Sequence, residues 1–180
     1  MQLNVGFECY GSVVDDSFFY GHKVRDEYVN DPSQSNDFNF KDITEAVFVD
    51  YDWEISDKWS LTAGLREEYY AYKGFQRTTQ ENISGSYPNI FPSLSVSFMP
   101  NDDHEISLDF TSGLINPAYY QRNPFKRYYS PTLYEANNVS LRPFKQYDLM
   151  LSYSLFWDYM IIFDYTFEKG VWCRFNIPEP

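Results

Sequence analysis

Seven stretches of this chain place apolar residues at every second position, and the connections between them alternate strictly between long and short. The apolar sets are Leu3, Val5, Phe7 and Cys9; Val47, Val49, Tyr51 and Trp53; Trp59, Leu61, Ala63 and Leu65; and Ile90, Pro92, Leu94, Val96 and Phe98. The remaining three are Ile106, Leu108 and Phe110; the odd residues from Tyr147 to Trp157; and the odd residues from Tyr159 to Phe167. Successive side chains on a strand point to opposite faces, so each stretch predicts a strand with one apolar face. Helical i, i+3, i+4 spacing is scarce. Gly11–Asp42, Lys73–Pro88 and Ser112–Lys145 read as long connections, and Ile55–Lys58, Met99–Asp103 and a turn near Asp158 read as short ones. A soluble sandwich has no reason to gather its long connections at one end. A transmembrane barrel has one, because its periplasmic turns are short and its extracellular loops long. Trp53, Trp59, Trp157 and Tyr159 fall at the short-turn ends, where an interfacial aromatic girdle belongs.

The expected fold is therefore all-β, an antiparallel up-and-down meander of about seven strands. It forms one segment, residues 1–180, of a partial transmembrane β-barrel with alternating long and short loops. The bilayer is the implied partner. A soluble all-β binding module, for carbohydrate for example, is the second reading, since half-buried soluble strands alternate too.

Composition removes other classes. Twenty-six Asp+Glu against 14 Lys+Arg give a net charge of -12, which excludes a nucleic-acid surface. Seventeen Tyr, 16 Phe and 4 Trp are too many aromatics for a disordered acidic chain. No apolar run reaches the roughly 18 residues of a membrane helix, and the N-terminal residues carry no basic and apolar secretory signal. Cys9 and Cys173 are isolated and form neither a disulfide framework nor a zinc site.

Four stretches resemble the barrel of TonB-dependent outer-membrane receptors of the type abundant in Bacteroidetes. Trp59-Ser-Leu-Thr-Ala-Gly-Leu-Arg-Glu-Glu68 is similar to that family's "aGLR-x-E" strand, and Tyr87-Pro-Asn-Ile-Phe-Pro-Ser-Leu-Ser-Val-Ser97 to its "FPslslsy" strand. Ile115–Tyr120 with Asn123-Pro124-Phe125, and later Ala136–Pro143, resemble its "RPsy…LNPf" and "GNP-x-L-x-P-E" stretches. Asn116, Val139 and Phe144 depart from those patterns. The resemblance is strongest over residues 40–167. It implies an outer-membrane location and a plugged barrel of about 22 strands that takes up an iron chelate or a glycan. TonB would act only through a plug domain that has no counterpart in this chain, so the chain reads as an internal segment of a larger receptor.

Candidate chemistry is sparse. His22 and His104 are too few for a triad or a His-rich metal site, and no phosphate-binding glycine motif or C-x-x-C occurs. Adjacent carboxylates such as Glu67 and Glu68 point to opposite faces of a strand and cannot flank one glycosidic bond. No enzymatic activity, metal or cofactor is expected. Asp50, Asp52, Arg66, Glu68 and Glu105 occupy polar faces and predict a lumenal charge ladder that fixes register. The loop residues Tyr119, Tyr120, Arg122, Asn123, Arg127 and Tyr128 are the candidate ligand contacts, because rings stack while amide and guanidinium groups donate hydrogen bonds.

Overall fold

The alternation builds one long sheet in the computed structural model, which describes residues 1–130 and 133–174. Its seven strands, β1 (Gln2–Phe18), β4 (Asn36–Ser56), β5 (Trp59–Gln76), β6 (Glu81–Asn101), β7 (His104–Ile115), β10 (Phe144–Leu155) and β11 (Tyr159–Lys169), pair in that order. Every pairing is antiparallel, and the sheet is not closed: β1 and β11 are its two edges. Small hairpins decorate the long connections, β2 (Gly21–Val24) with β3 (Glu27–Asn30), and β8 (Arg127–Ser130) with β9 (Leu133–Glu135). One helical turn, α1 (Tyr119–Arg122), precedes the second hairpin.

Register assigns the two faces. Val5, Val49, Leu65 and Pro92 form one cross-strand row, and Leu94, Phe110, Leu149 and Tyr165 form another. The opposite face carries the row Asp52, Thr62, Ser95, Asp109, Met150 and Asp164. Leu65 is 49% exposed, Ile90 59% and Phe163 65%, so the apolar face has no protein cover. A patch of that extent is lipid-contacting, and in water it drives association. Purified chain in detergent-free buffer is expected to sediment as aggregate, with detergent converting it to β-rich particles. A monodisperse monomer without detergent would contradict this assignment of faces.

Two connections that the sequence pattern reads as long are largely strand. β1 continues to Phe18 and β4 begins at Asn36, and only residues 77–80 separate β5 from β6. The physical reason is an inversion of pattern. Below Glu45 and Glu67 the outward positions are apolar (Val47, Val49, Leu61, Leu65) and the inward ones polar. Above them the inward positions are aromatic (Phe38, Phe40, Tyr70, Tyr72) and the outward ones polar (Asp37, Asn39, Lys41, Lys73). The lower part faces lipid and the upper part faces water, so each hides a different face. β7, β10 and β11, with 12, 12 and 11 residues, have about the length that crosses a membrane, whereas β4 and β6, with 21 each, overrun it.

The compact core lies in this overrun. Phe38 (0% exposed), Phe40, Tyr70 and Tyr72 cluster on the inward face, with Val14, Ile83, Tyr87 and Tyr119 against them. Phe40 and Tyr72 stack at 5.7 Å. Pro88 and Pro92 fit β6 because β7 pairs with it only from Leu94 downward, so a missing N–H above that point is tolerated. Ser112 Oγ donates to the Pro92 carbonyl at 2.8 Å there. At the other end the short turns tie to one another. The Met99 N–H bonds the Lys58 carbonyl, Phe156 N–H the Asp103 carbonyl, and Trp157 Nε1 the Asp102 carbonyl. Phe156 and Trp157 adopt left-handed φ of 52° and 62° in their turn. Trp59 stacks on Phe98 at 4.3 Å at this end, where Trp53, Trp157 and Tyr159 also lie.

Candidate functional site

The longest connection, residues 116–143, sits on the inward face rather than standing clear of it. Arg122 is its root. Its guanidinium is wholly buried, lies 3.8 Å from the Tyr72 ring centroid, and donates from Nη1 to the Tyr70 hydroxyl at 2.8 Å. Its Nε and Nη2 have no hydrogen-bond partner. Stacking on rings is what makes a buried guanidinium tolerable there, since among the described residues no carboxylate pairs with it. Asn123 continues the clasp. Its Nδ2 donates to Asn36 Oδ1 at 3.0 Å, and Gln76 Nε2 donates to both Asn36 Oδ1 and Asn123 Oδ1, at 2.7 and 3.1 Å. Asn137 then donates from Nδ2 to the Tyr120 and Asn123 carbonyls, folding the loop back on itself.

The candidate contacts therefore divide. Tyr119, Arg122 and Asn123 face the wall, with Tyr119 6.5 Å from Phe40. Tyr120 (53% exposed), Arg127 and Tyr128 (44%) stand in solvent. Around the β8–β9 hairpin Tyr128 meets Tyr134 at 5.6 Å, Lys126 lies over Tyr134 and Arg127 over Tyr129. Arg174 pairs with Glu135 at 2.6 Å.

Lower on the inward face, Arg66 pairs with Glu68 at 3.1 Å and with Glu8 of β1 at 2.8 Å. Asp52 accepts from Thr62 Oγ1 and Asn4 Nδ2, and Glu105 accepts from Ser97 Oγ. Asp50 shares the face opposite Gly64. The structure thus groups Arg66 with Glu68 and assigns hydroxyl or amide partners to Asp52 and Glu105. Sequence reasoning missed Glu8, whose signal was its place among the polar positions of β1, and missed the Tyr70–Tyr72 shelf that receives Arg122.

A cleft of about 450 Å³ opens at the base of the β2–β3 hairpin, lined by Ser17, Phe18, Asn30, Ser35, Asn36 and Arg77 among others. Asp31 closes its loop, accepting from the Ser33 hydroxyl at 2.6 Å, the Ser33 N–H at 3.0 Å and Gln34 Nε2. Those bonds, the Ser33 hydroxyl first, hold the Asp31 carboxyl below its ordinary range. A depressed folded value means that the clasp is intact above the ordinary carboxylate range and is lost as pH falls through the lowered value. Ser33 amide protection, taken relative to intrinsic exchange at each pH, should therefore fall on acidification, and Asp31→Asn should flatten that profile.

A meander whose outward face is a bare apolar belt, with polar rows inward and an aromatic lower margin, is the wall of a transmembrane β-barrel. The chain matches the outer membrane protein beta-barrel family over residues 1–177 and belongs to it. No curated protein matches the chain. Membership gives the coarse function, a membrane barrel protein, and supports a bacterial outer-membrane location.

Proposed function

We propose that this segment forms part of the wall and one extracellular loop of a TonB-dependent receptor, and that the loop contacts a nutrient ligand, an iron chelate or a glycan. The observation that carries this reading is the division of the 116–143 loop into an anchored root and a presented tip. Arg122 and Asn123 fix the root in the wall, while Tyr120, Arg127 and Tyr128 remain exposed. Rings held at a fixed position offer stacking area at little entropic cost, and Arg127 adds donors for hydroxyl or carboxylate oxygens. Energy for uptake would reach the barrel from TonB through a plug domain. No catalytic role is assigned to any residue.

The test uses the full chain reconstituted in bilayer nanodiscs and titrated with a panel of oligosaccharides and ferric chelates. Binding by one ligand class is expected, weakened about tenfold by Tyr120→Ala combined with Tyr128→Ala, as two stacking contacts would give. Equal binding by the double variant would remove the loop tip from the site.

A further inference from the structure

The root of the 116–143 loop is incomplete in its hydrogen bonding. Among the described residues four buried side-chain polar atoms have no partner, and three belong to this root: Asn116 Oδ1, Arg122 Nε and Arg122 Nη2. Buried polar groups are ordinarily satisfied, so a cluster of exceptions calls for a cause. The two Arg122 atoms are not an arbitrary pair. A guanidinium is a planar fork, and its Nε–H and one Nη2–H point in parallel from the same edge. That edge receives two oxygens of a carboxylate or phosphate side by side. Nη1, on the opposite side, is spent on the Tyr70 hydroxyl, and the Tyr72 ring takes one face. Arg122 is thus held by its back and its face, while the edge best suited to an oxyanion is left unused.

The carboxylates around it are committed elsewhere. On the inward face of the upper wall, Asp42 accepts from the Ser12 N–H and hydroxyl, and Asp16 accepts from Asn36 Nδ2. Within the loop, Glu135 accepts from the Tyr129 hydroxyl and pairs with Arg174. The neighbouring amides are engaged as well, Asn123 with Asn36 and Gln121 Oε1 with the Ala118 N–H. Because Arg122 is wholly buried, an opposite charge at this edge would gain a charge-assisted pair at low dielectric, far stronger than the same pair in water.

We infer that the Nε/Nη2 edge of Arg122 is a binding site for a small oxyanion, a carboxylate or a phosphate, and that the ion holds the 116–143 loop against the wall. The edge is sealed in the closed loop, so the ion enters when the root parts from the Tyr70–Tyr72 shelf and is enclosed as the root returns. Loop closure and ion binding therefore favour each other by the same factor. This site lies beyond the contacts assigned to the loop tip and does not depend on them.

The test uses the full chain in bilayer nanodiscs with malonate or inorganic phosphate, each against sodium chloride at equal ionic strength. Trypsin cleavage at Arg127 is timed, and each rate is divided by that of an unstructured peptide copying residues 123–130 in the same buffer. At about ten times its half-protecting concentration, the effective ion should slow cleavage about tenfold. Protection by either ion supports the site, and the stronger of the two names the group it takes. Arg122→Met should lose the response, and Arg122→Lys, which keeps the charge without the fork, should reduce it below about twofold. Tyr70→Phe removes one bond of the root but leaves the edge, so it should be cleaved faster than native and still be protected. Tyr120→Ala with Tyr128→Ala should respond as native does, which separates this site from the tip. Circular dichroism of each variant confirms that the sheet is intact. Equal protection by chloride, an undiminished response in Arg122→Met, or no protection by either oxyanion would overturn the inference.

Discussion

Leu65→Arg is expected to cost about 2–4 kcal/mol of folded stability in a bilayer, shifting the folding equilibrium by about thirtyfold to a thousandfold. Leu65 stands on the outward face, six residues above Trp59 and one outward position below Glu67, and is half exposed among the described residues. Arginine there must carry its charge into the apolar belt or reach upward past Glu67 toward the water-facing part of the strand. Thr62→Lys is the paired control. Thr62 faces inward and donates to Asp52, so an ammonium at that position meets a carboxylate and water rather than lipid. Urea titration of the chain folded in lipid vesicles should separate the two variants cleanly. Equal losses would mean that the two faces have been assigned the wrong way round.

The second large effect concerns Arg122. Truncation by Arg122→Ala removes the bond to Tyr70, the stacking on Tyr72 and the volume that fills the shelf, together about 2–4 kcal/mol of loop attachment. Arg122→Met behaves differently. Two donors of the native guanidinium are buried without partners, so an apolar side chain of similar length exchanges a charge-assisted contact for relief from desolvation, an exchange that is often neutral. Trypsin cleavage at Arg127 reports how often the loop leaves the wall. About a hundredfold faster cleavage is expected for the alanine variant, and a rate within a few-fold of native for methionine. If methionine proves as harmful as alanine, the charge itself holds the loop, and an anion must lie against Nε and Nη2.

The meander was legible because lipid enforces a strict code: Val47, Val49, Tyr51 and Trp53 need to face outward, and the residues between them inward. Each short turn was bracketed by such runs, and its position follows. The upper halves of β1, β4, β5 and β6 were not legible. There the apolar positions change from odd to even in β4, from Val47 to Phe40 and Phe38, as the sheet leaves the membrane and begins to hide its inner face. A reader scanning for one phase sees the pattern stop and writes a loop. The candidate ligand loop shows the same limit. Its composition marks Tyr120 and Arg122 alike, yet one is presented and the other is wholly buried, because Arg122 finds two tyrosines of a strand about fifty residues earlier. Local composition carries chemistry, and only the long-range partner decides whether it is spent on packing or offered to a ligand.

The unclosed sheet also obeys a rule of parity. Seven strands that reverse direction at each step leave the first and the last running the same way, so β1 and β11 both ascend from the short-turn end. Joining them directly, or joining copies of this chain edge to edge in one membrane orientation, makes a parallel seam at every junction. A cylinder that keeps the antiparallel ladder throughout must contribute an odd number of additional ascending and descending strands between these two edges, beginning and ending with a descending one.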